Sequence, residues 1–384
     1  MPKLLTNSNI EDKKVLLRLD LNVPIYKNKI LSDFRIIKCI PTINYLLERN
    51  NKIIILSHIG RPDEGVYDKN FSLINVNSYL EKKLKAKIPF LKNWISGVSF
   101  TDSNIVMCEN VRFCKGESSN DAKLSEKISN LGDIFVFDAF GVSHRKSSST
   151  YGISNYLETF AGPLLENEIY SANKFINSSK RPIGTIISGA KVSTKLKIIK
   201  RLLDKSDYII IGGGILNTFL LAMDYNVGKS LIEPNYLDEA RNIINDERFS
   251  KVILPVDVIV SNNSELDNPK TKLINMVQSD DKILDIGKKT IDRYSEIIAK
   301  SHSIFWNGPL GLLEKNPYDN GTKEIAKIIA NSDIYSIVGG GDTIPIIEHM
   351  NLEEKFTNLS TGGGSLLKYI EGDELPILKK LEFY

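Results

Sequence analysis

The sequence predicts an α/β protein of two domains, each built on a parallel β-sheet, with a long helix between them. Three observations predict it. The chain has 384 residues, more than one hydrophobic core ordinarily supports. Short apolar runs alternate with amphipathic stretches, the pattern of a parallel sheet covered by helices. Near residue 150 the chain changes character: earlier runs end in Arg or His, later ones in Gly.

In the first half, strands are expected at KVLLRLDL, KIIILSH, NIVMCEN and IFVFDAF, each followed by turn residues and a longer amphipathic stretch. The first helix starts after Ser32, with Pro41 as a candidate kink. GPLLENEIYSANKFINSSKRP reads as one long helix ended by its Ser-Ser-Lys-Arg-Pro tail. A second strand series follows: IGTIISG, YIIIGG, KVILPVDVIV, KILDIG, SIFWNG, YSIVGG and FTNLSTGG. The unusual residues of both halves fall at strand ends, and open parallel sheets bind ligands beyond the carboxyl ends of their strands.

Arginine placement is the sharpest chemical signal. Only 11 of the 50 basic residues are Arg. Yet Arg18, Arg35, Arg61, Arg112 and Arg145 all sit beside Gly, Pro, Asn, Asp or His at the ends of apolar runs. Arg rather than Lys is needed where a planar fork grips a carboxylate or phosphate. The set points to a small, multiply charged anion. His58 and His144, beside two of these arginines, fit anion binding better than base catalysis, since no orienting acid is adjacent.

The second half carries phosphate chemistry. In SGAKVSTKLKIIKRLL, Gly189 and Ala190 form a turn and a helix opens, with Lys191 and Lys195 on one face of its first turn. Two lysines are unfavourable at a helix N-terminus unless an anion sits there. Gly339, Gly340 and Gly341 precede Asp342 and Thr343, where amides can approach a phosphate. Asp342 is either an N-cap or a Mg²⁺ ligand. Gly212, Gly213 and Gly214 leave room for a flat base, and Gly362, Gly363 and Gly364 repeat the theme. Asn307 and Glu314 frame WNGPLGLLE, with Glu314 a candidate for ribose hydroxyls.

Other classes are excluded by what is absent. There is no GxxxxGK[ST] P-loop, no protein-kinase motif set, and GGGILN does not fit GxGxxG. A formal charge of +3 with no basic block gives no footprint for nucleic acid. Cys39, Cys108 and Cys114 lack metal or disulfide spacing and read as thiols of a reducing compartment. MPKLLTNSNI lacks a secretory signal's apolar core, and no run approaches the ~20 apolar residues of a membrane span. A cytoplasmic protein is expected. The Arg set and the Gly-rich turns alone also suit a kinase for another small carboxylate, or a binding protein without catalysis.

As an ordered set, RLDLNVP, SHIGRP, ENVRF, DAFGVSHR, GAKVSTK, WNGPLG, GGGDT and STGGGS resemble the phosphoglycerate kinase family, from Arg18 to Pro376. The resemblance implies two Rossmann-like domains with parallel sheets, joined by a long interdomain helix. The 3-phosphoglycerate domain would span 1–162, with 365–384 packing back on it. The helix would span 163–179 and the nucleotide domain 180–364. It implies reversible phosphoryl transfer between 1,3-bisphosphoglycerate and ADP, giving 3-phosphoglycerate and ATP, in line and on domain closure, with Mg²⁺, in a monomer without nucleic-acid or membrane partners. Carried over by motif, Asp20, Asn22, Arg35, His58, Arg61, Arg112 and Arg145 would bind 3-phosphoglycerate. Lys191, Lys195, Gly213, Asn307, Glu314, Gly340, Gly341, Asp342 and Thr343 would bind nucleotide. Arg35, Lys191 and Lys195 would be catalytic and Asp342 would hold the metal. The chain departs from the family at Thr194, where Asp is frequent, at Lys288 for Pro, and at Cys114-Lys115 for an aromatic-Pro pair.

Overall fold

The computed structural model describes residues 1–178 and 180–384. The chain divides into two units, Met1–Tyr170 with Gly364–Tyr384, and Ser171–Gly363.

In unit 1 the elements are β1 (Lys14–Leu19), a hairpin of β2 (Ile25–Tyr26) and β3 (Lys29–Ile30), α1 (Phe34–Leu47), β4 (Lys52–Leu56), α2 (Ile74–Leu84), β5 (Phe90–Leu91), β6 (Ile105–Cys108), α3 (Ala122–Ser129), β7 (Ile134–Asp138) and β8 (Thr159–Ala161). Six strands form one parallel sheet in the order β5-β6-β4-β1-β7-β8. Growth runs to one side of β1 and then resumes on the other, so the order reverses at β1 and the ligand crevice belongs at its carboxyl end. β1 is buried from Val15 to Leu19, as a strand covered on both faces must be. Val15, Leu17, Ile53, Ile55 and Val136 share a core with Ile36, Ile43 and Leu46 of α1. Each such fully buried aliphatic side chain contributes about 1.5–3 kcal/mol. Pro41 lies inside α1 without dividing it.

α4 (Pro163–Ile176) runs from the first unit into the second. It stops before Asn177 and Ser178, side chains that compete for backbone hydrogen bonds; position 179 of the expected helix lies outside the described residues.

Unit 2 continues with β9 (Ile183–Ile187), α5 (Leu196–Lys205), β10 (Tyr208–Ile211), α6 (Gly213–Ala222), α7 (Leu237–Ile244), β11 (Val252–Ile253), β12 (Asp257–Ser261), β13 (Lys270–Leu273), β14 (Lys282–Ile286), α8 (Lys288–Ile298), β15 (Ser303–Asn307), α9 (Asn320–Ala330), β16 (Tyr335–Gly339), α10 (Thr343–His349) and β17 (Asn358–Ser360). Its parallel sheet runs β11-β10-β9-β15-β16-β17 and reverses at β9. α11 (Gly364–Glu371) and α12 (Pro376–Lys380) return to unit 1, where the Tyr369 ring meets Phe140 edge-on at 6.4 Å.

The second strand series needs two corrections. KVILPVDVIV is not one strand: it breaks around Pro255 into β11 and β12, because proline cannot donate to a ladder. β12 and the KILDIG strand β14 leave the parallel sheet and pair antiparallel, with β13, in a separate three-stranded sheet. Apolar patterning marks a strand but not the direction of its partner. Cys39 and Cys108 are buried and Cys114 half-buried, all as free thiols. Among the described residues no helix is long and apolar enough to cross a membrane.

Candidate active site

In unit 1 the strand ends converge as the order reversal requires. Asp20 Oδ1 follows β1 and accepts from the Asn22 backbone N–H at 3.2 Å and from Arg35 Nη1 at 3.3 Å. The same Nη1 donates to the Asn22 carbonyl at 3.0 Å. These bonds hold the Arg35 guanidinium by one corner, on the first turn of α1. Asn22 Oδ1 accepts from the Gly60 N–H at 2.9 Å, tying the loop after β1 to the loop after β4. Arg112 reaches back to the same loop and donates to the Gly60 carbonyl.

His58 is 2% exposed. Arg18 Nη2 lies 3.3 Å from its Nδ1. Arg can only donate, so Nδ1 accepts and the ring proton belongs on Nε2. Burial, reinforced by the charges of Arg18, Arg112, Arg145 and Arg35, holds this imidazole well below the usual histidine range. His58 is therefore a neutral donor at pH 7 and not a base. His144 has the opposite tautomer. Arg145 Nε donates to its Nε2 at 3.4 Å, which leaves Nδ1–H to donate to Ser365 Oγ at 2.7 Å on α11. Burial and the Arg145 charge push His144 down to about 4.

The arginines repel one another. Burial first, then the charges of Arg145 and Arg18, push Arg112 down to about 10. Arg145 is lowered by burial and by Arg61, which is itself exposed. A cluster of cations that depress one another's affinity for protons is a cluster short of negative charge. All seven residues predicted for the anion site meet here: six by hydrogen bonds or shared cation repulsion among buried neighbours, and Arg61 by charge alone.

The predicted contact set leaves out Arg18. It is 2% exposed, anchored by Nε on Ser149 Oγ at 3.2 Å and by Nη1 on its neighbour's carbonyl at Leu19. With Arg112 and Arg145 it lines a cavity of about 370 Å³. Its place at the end of an apolar run, which set it among the five arginines of the anion reading, was the available signal, since a guanidinium seldom enters a core unpaired. Glu117, which accepts from the hydroxyls of Ser147 and Ser149 beneath this cluster, left no comparable signal.

In unit 2 the residues after β9, β10, β15 and β16 do the same. Gly213, Glu314 and Asp342 line one cavity of about 440 Å³, with Gly189, Leu310 and Leu312. Lys195 Nζ donates to Asn307 Oδ1, and Asn307 Nδ2 donates to the Gly339 carbonyl at 2.7 Å. Gly340, at φ +126°, faces Asn307 Nδ2 and Thr343 Oγ1, each 3.5 Å from where a side chain would begin. Gly341 has open space beside it. Gly213, at φ +61°, could not carry a Cβ without meeting the Gly189 carbonyl at 2.8 Å. Asp342 stands at the N-cap of α10 but makes no capping hydrogen bond.

The two lysines are not on the first turn of one α-helix, as their spacing predicted. Lys191 and Lys195 bracket a single 3₁₀ turn, Val192–Thr194, and α5 begins only at Leu196. Glu233 causes this. Its carboxylate accepts from the Ser193 N–H and hydroxyl, both at 2.8 Å, and so pins the turn in place. Thr194 Oγ1 donates to the Lys191 carbonyl at 2.9 Å.

A nucleotide-sized, glycine-walled cavity beside paired lysines, and a guanidinium cluster short of anions, each at the carboxyl end of its own parallel sheet, define a phosphotransferase for a small, multiply charged substrate. The family model for phosphoglycerate kinase matches residues 5–373, and the chain belongs to that family. It is 44% identical over 380 residues to the phosphoglycerate kinase of Baumannia cicadellinicola, covering 98% of this chain and 97% of that protein. A solved phosphoglycerate kinase from Coxiella burnetii is similar at a TM-score of 0.87 and 42% identity, over 99% of both chains. That of Pyrococcus horikoshii gives a TM-score of 0.87 at 30% identity, over 99% of this chain and 98% of that one. The protein is a glycolytic phosphotransferase acting between 1,3-bisphosphoglycerate and ADP.

Proposed function

We propose that the guanidinium cluster of unit 1 binds 3-phosphoglycerate and the glycine-walled cavity of unit 2 binds ADP or ATP. That Arg18, Arg112 and Arg145 line one cavity carries this reading: an anion with several charges pairs with all three. Arg61, Arg112, Arg145 and the Nε2–H of neutral His58 take the phosphate, while Asp20, Asn22 and Arg35 orient the glycerate end. Glu314 takes the ribose hydroxyls. Lys191, the Lys195–Asn307 pair and the amides of Gly340 and Gly341 take the phosphate chain, with Thr343 beneath Gly340 as part of the same turn.

Phosphoryl transfer asks for alignment and charge neutralisation more than covalent chemistry. The attacking atom is a carboxylate or diphosphate oxygen, ionised at neutral pH, so no general base is required. Arg35 and Lys195 serve as the oriented cations on the transferring group. Because the ligands bind different units, transfer requires a closed state that joins them and excludes water.

The residues fit a magnesium nucleotide. Mg²⁺ is commonly held by one or two carboxylates plus substrate phosphates, and the Asp342 carboxylate, uncommitted to its helix, lines the nucleotide cavity. Asp342 would hold the ion, which would supply positive charge to offset that of the phosphates. Thr194 supplies no second carboxylate. A cytoplasmic monomer completes the reading.

The test is a coupled assay with 3-phosphoglycerate, ATP and Mg²⁺, comparing the natural chain with Lys195→Ala. Turnover that disappears in the variant supports the assignment. Unchanged turnover removes Lys195 from the transfer site.

A further inference from the structure

Glu117 is an acid in the wall of a cationic cavity. It lines the space of about 370 Å³ with Arg18, Arg112 and Arg145 and is 3% exposed. Taken alone, its charge opposes anion binding there. Among the described residues, its carboxylate is held by serine. Oε1 accepts from the Ser147 hydroxyl at 2.8 Å and from the Ser149 hydroxyl at 2.5 Å, and Oε2 accepts from the Ser149 N–H at 2.9 Å. A carboxylate only accepts, so the Ser149 hydroxyl proton lies on the bond to Glu117. The lone pairs of that hydroxyl are left for Arg18 Nε, which donates to it at 3.2 Å. Glu117 thereby sets the direction of the hydroxyl, and the hydroxyl sets the guanidinium. The other two nitrogens of Arg18 are engaged as well, Nη1 with the Leu19 carbonyl and Nη2 with His58 Nδ1. Burial lowers the affinity of Arg18 for its proton, and Glu117 is the largest charge opposing that loss.

We propose that Glu117 is a positioning residue for the substrate anion: through Ser149 it orients the Arg18 guanidinium at the cavity wall, and through Arg18 it orients the His58 ring. The inference rests on the reading of this cavity as the 3-phosphoglycerate site. A negative charge is kept among the cations because a guanidinium fixed in direction contributes more to binding than one carboxylate takes away. Orientation and repulsion have opposite signs, so one substitution tells them apart.

The experiment measures KM for 3-phosphoglycerate in the coupled assay on the full chain. Glu117→Gln removes the charge, keeps the shape and sets an amide N–H₂ against one of the Ser149 donors. If Glu117 acted only as a charge, KM would fall, because the anion would meet one negative group fewer. Positioning predicts the reverse: a rise of about tenfold, the order of one hydrogen bond to a charged group, with kcat and the KM for ATP unchanged. Ser149→Ala cuts the same link with the Glu117 charge in place. It should raise KM in the same way, and it carries the test if the Gln variant does not fold. A merely structural role lowers the folded fraction, which moves the maximal rate and leaves KM where it was. A KM for 3-phosphoglycerate that falls, stays unchanged, or rises together with that for ATP overturns the proposal. Arg112→Ala separates this failure from failure of the cavity reading. It should raise KM for 3-phosphoglycerate, and an unchanged KM would overturn the 3-phosphoglycerate site itself and the Glu117 proposal with it.

Discussion

At the scale of the residue, the choice of arginine over lysine decides the chemistry. Arg35 is held through Nη1 by Asp20 and the Asn22 carbonyl, and this anchor orients a planar fork that an ammonium does not have. Arg35→Lys keeps the charge and loses the fork. Turnover is expected to fall roughly 10²-fold or more, the loss typical of one oriented electrostatic donor; a near-normal kcat would take Arg35 out of the transfer step. Much of this candidate cluster was legible because each of these arginines interrupts an apolar pattern at its end. What could not be read was how those arginines are held. The proton on His58 sits on Nε2 because of Arg18, and Arg18 is oriented by Ser149, 131 residues away. No local pattern encodes such a partner.

At the scale of the element, two carboxylates set the shapes that carry the site. Glu233 reaches from the loop after α6 to pin the turn between Lys191 and Lys195. Glu233→Gln puts an amide N–H₂ or a weaker acceptor against the Ser193 donors. The expected result is a several-fold higher KM for ATP and a loss of about 1–2 kcal/mol in stability, since a charge-assisted hydrogen bond contributes that order; steady-state kinetics and urea unfolding check the two parts. The spacing of the lysines suggested one α-helical turn because this tether lies 40 residues along the chain. Asp138 plays a similar part at α4, accepting from the Leu165 N–H at 2.7 Å and from the Thr42 hydroxyl. Burial raises its carboxyl to about 7, above the ordinary aspartate value of about 3.9. Between those values the folded chain holds a proton that the unfolded chain has released. The stability gained from this is complete below about pH 4 and is lost as pH rises through 7. His58, held low, titrates in the opposite sense, so the difference between proteins is the informative quantity. Asp138→Asn should remove the Asp138 slope, and the natural protein should gain about 1 kcal/mol or more relative to the variant between pH 7.5 and pH 5. Parallel urea titrations with no change in that gap would show that Asp138 is not the titrating group.

At the scale of the whole molecule, two sheets repeat one plan: outward growth from a central strand, reversal, and a cluster of candidate binding residues at the carboxyl end. The alternation of runs made this legible. The small antiparallel sheet was not, because β12 and β14 have the composition of parallel strands and only their partners differ. If the proposed closure is right, small-angle scattering should show a smaller radius of gyration with 3-phosphoglycerate and a nonhydrolysable ATP analogue together than with either alone. An unchanged radius would count against closure. The return of α11 and α12 to the first unit has a further consequence during synthesis on the ribosome. Ser171–Gly363 is one continuous stretch and can reach its native packing as soon as it emerges. The opening 170 residues cannot, because Phe140 and His144 wait for Tyr369 and Ser365. The half of the protein made first is therefore the half completed last, and until then its unfinished surface is the one a chaperone would meet.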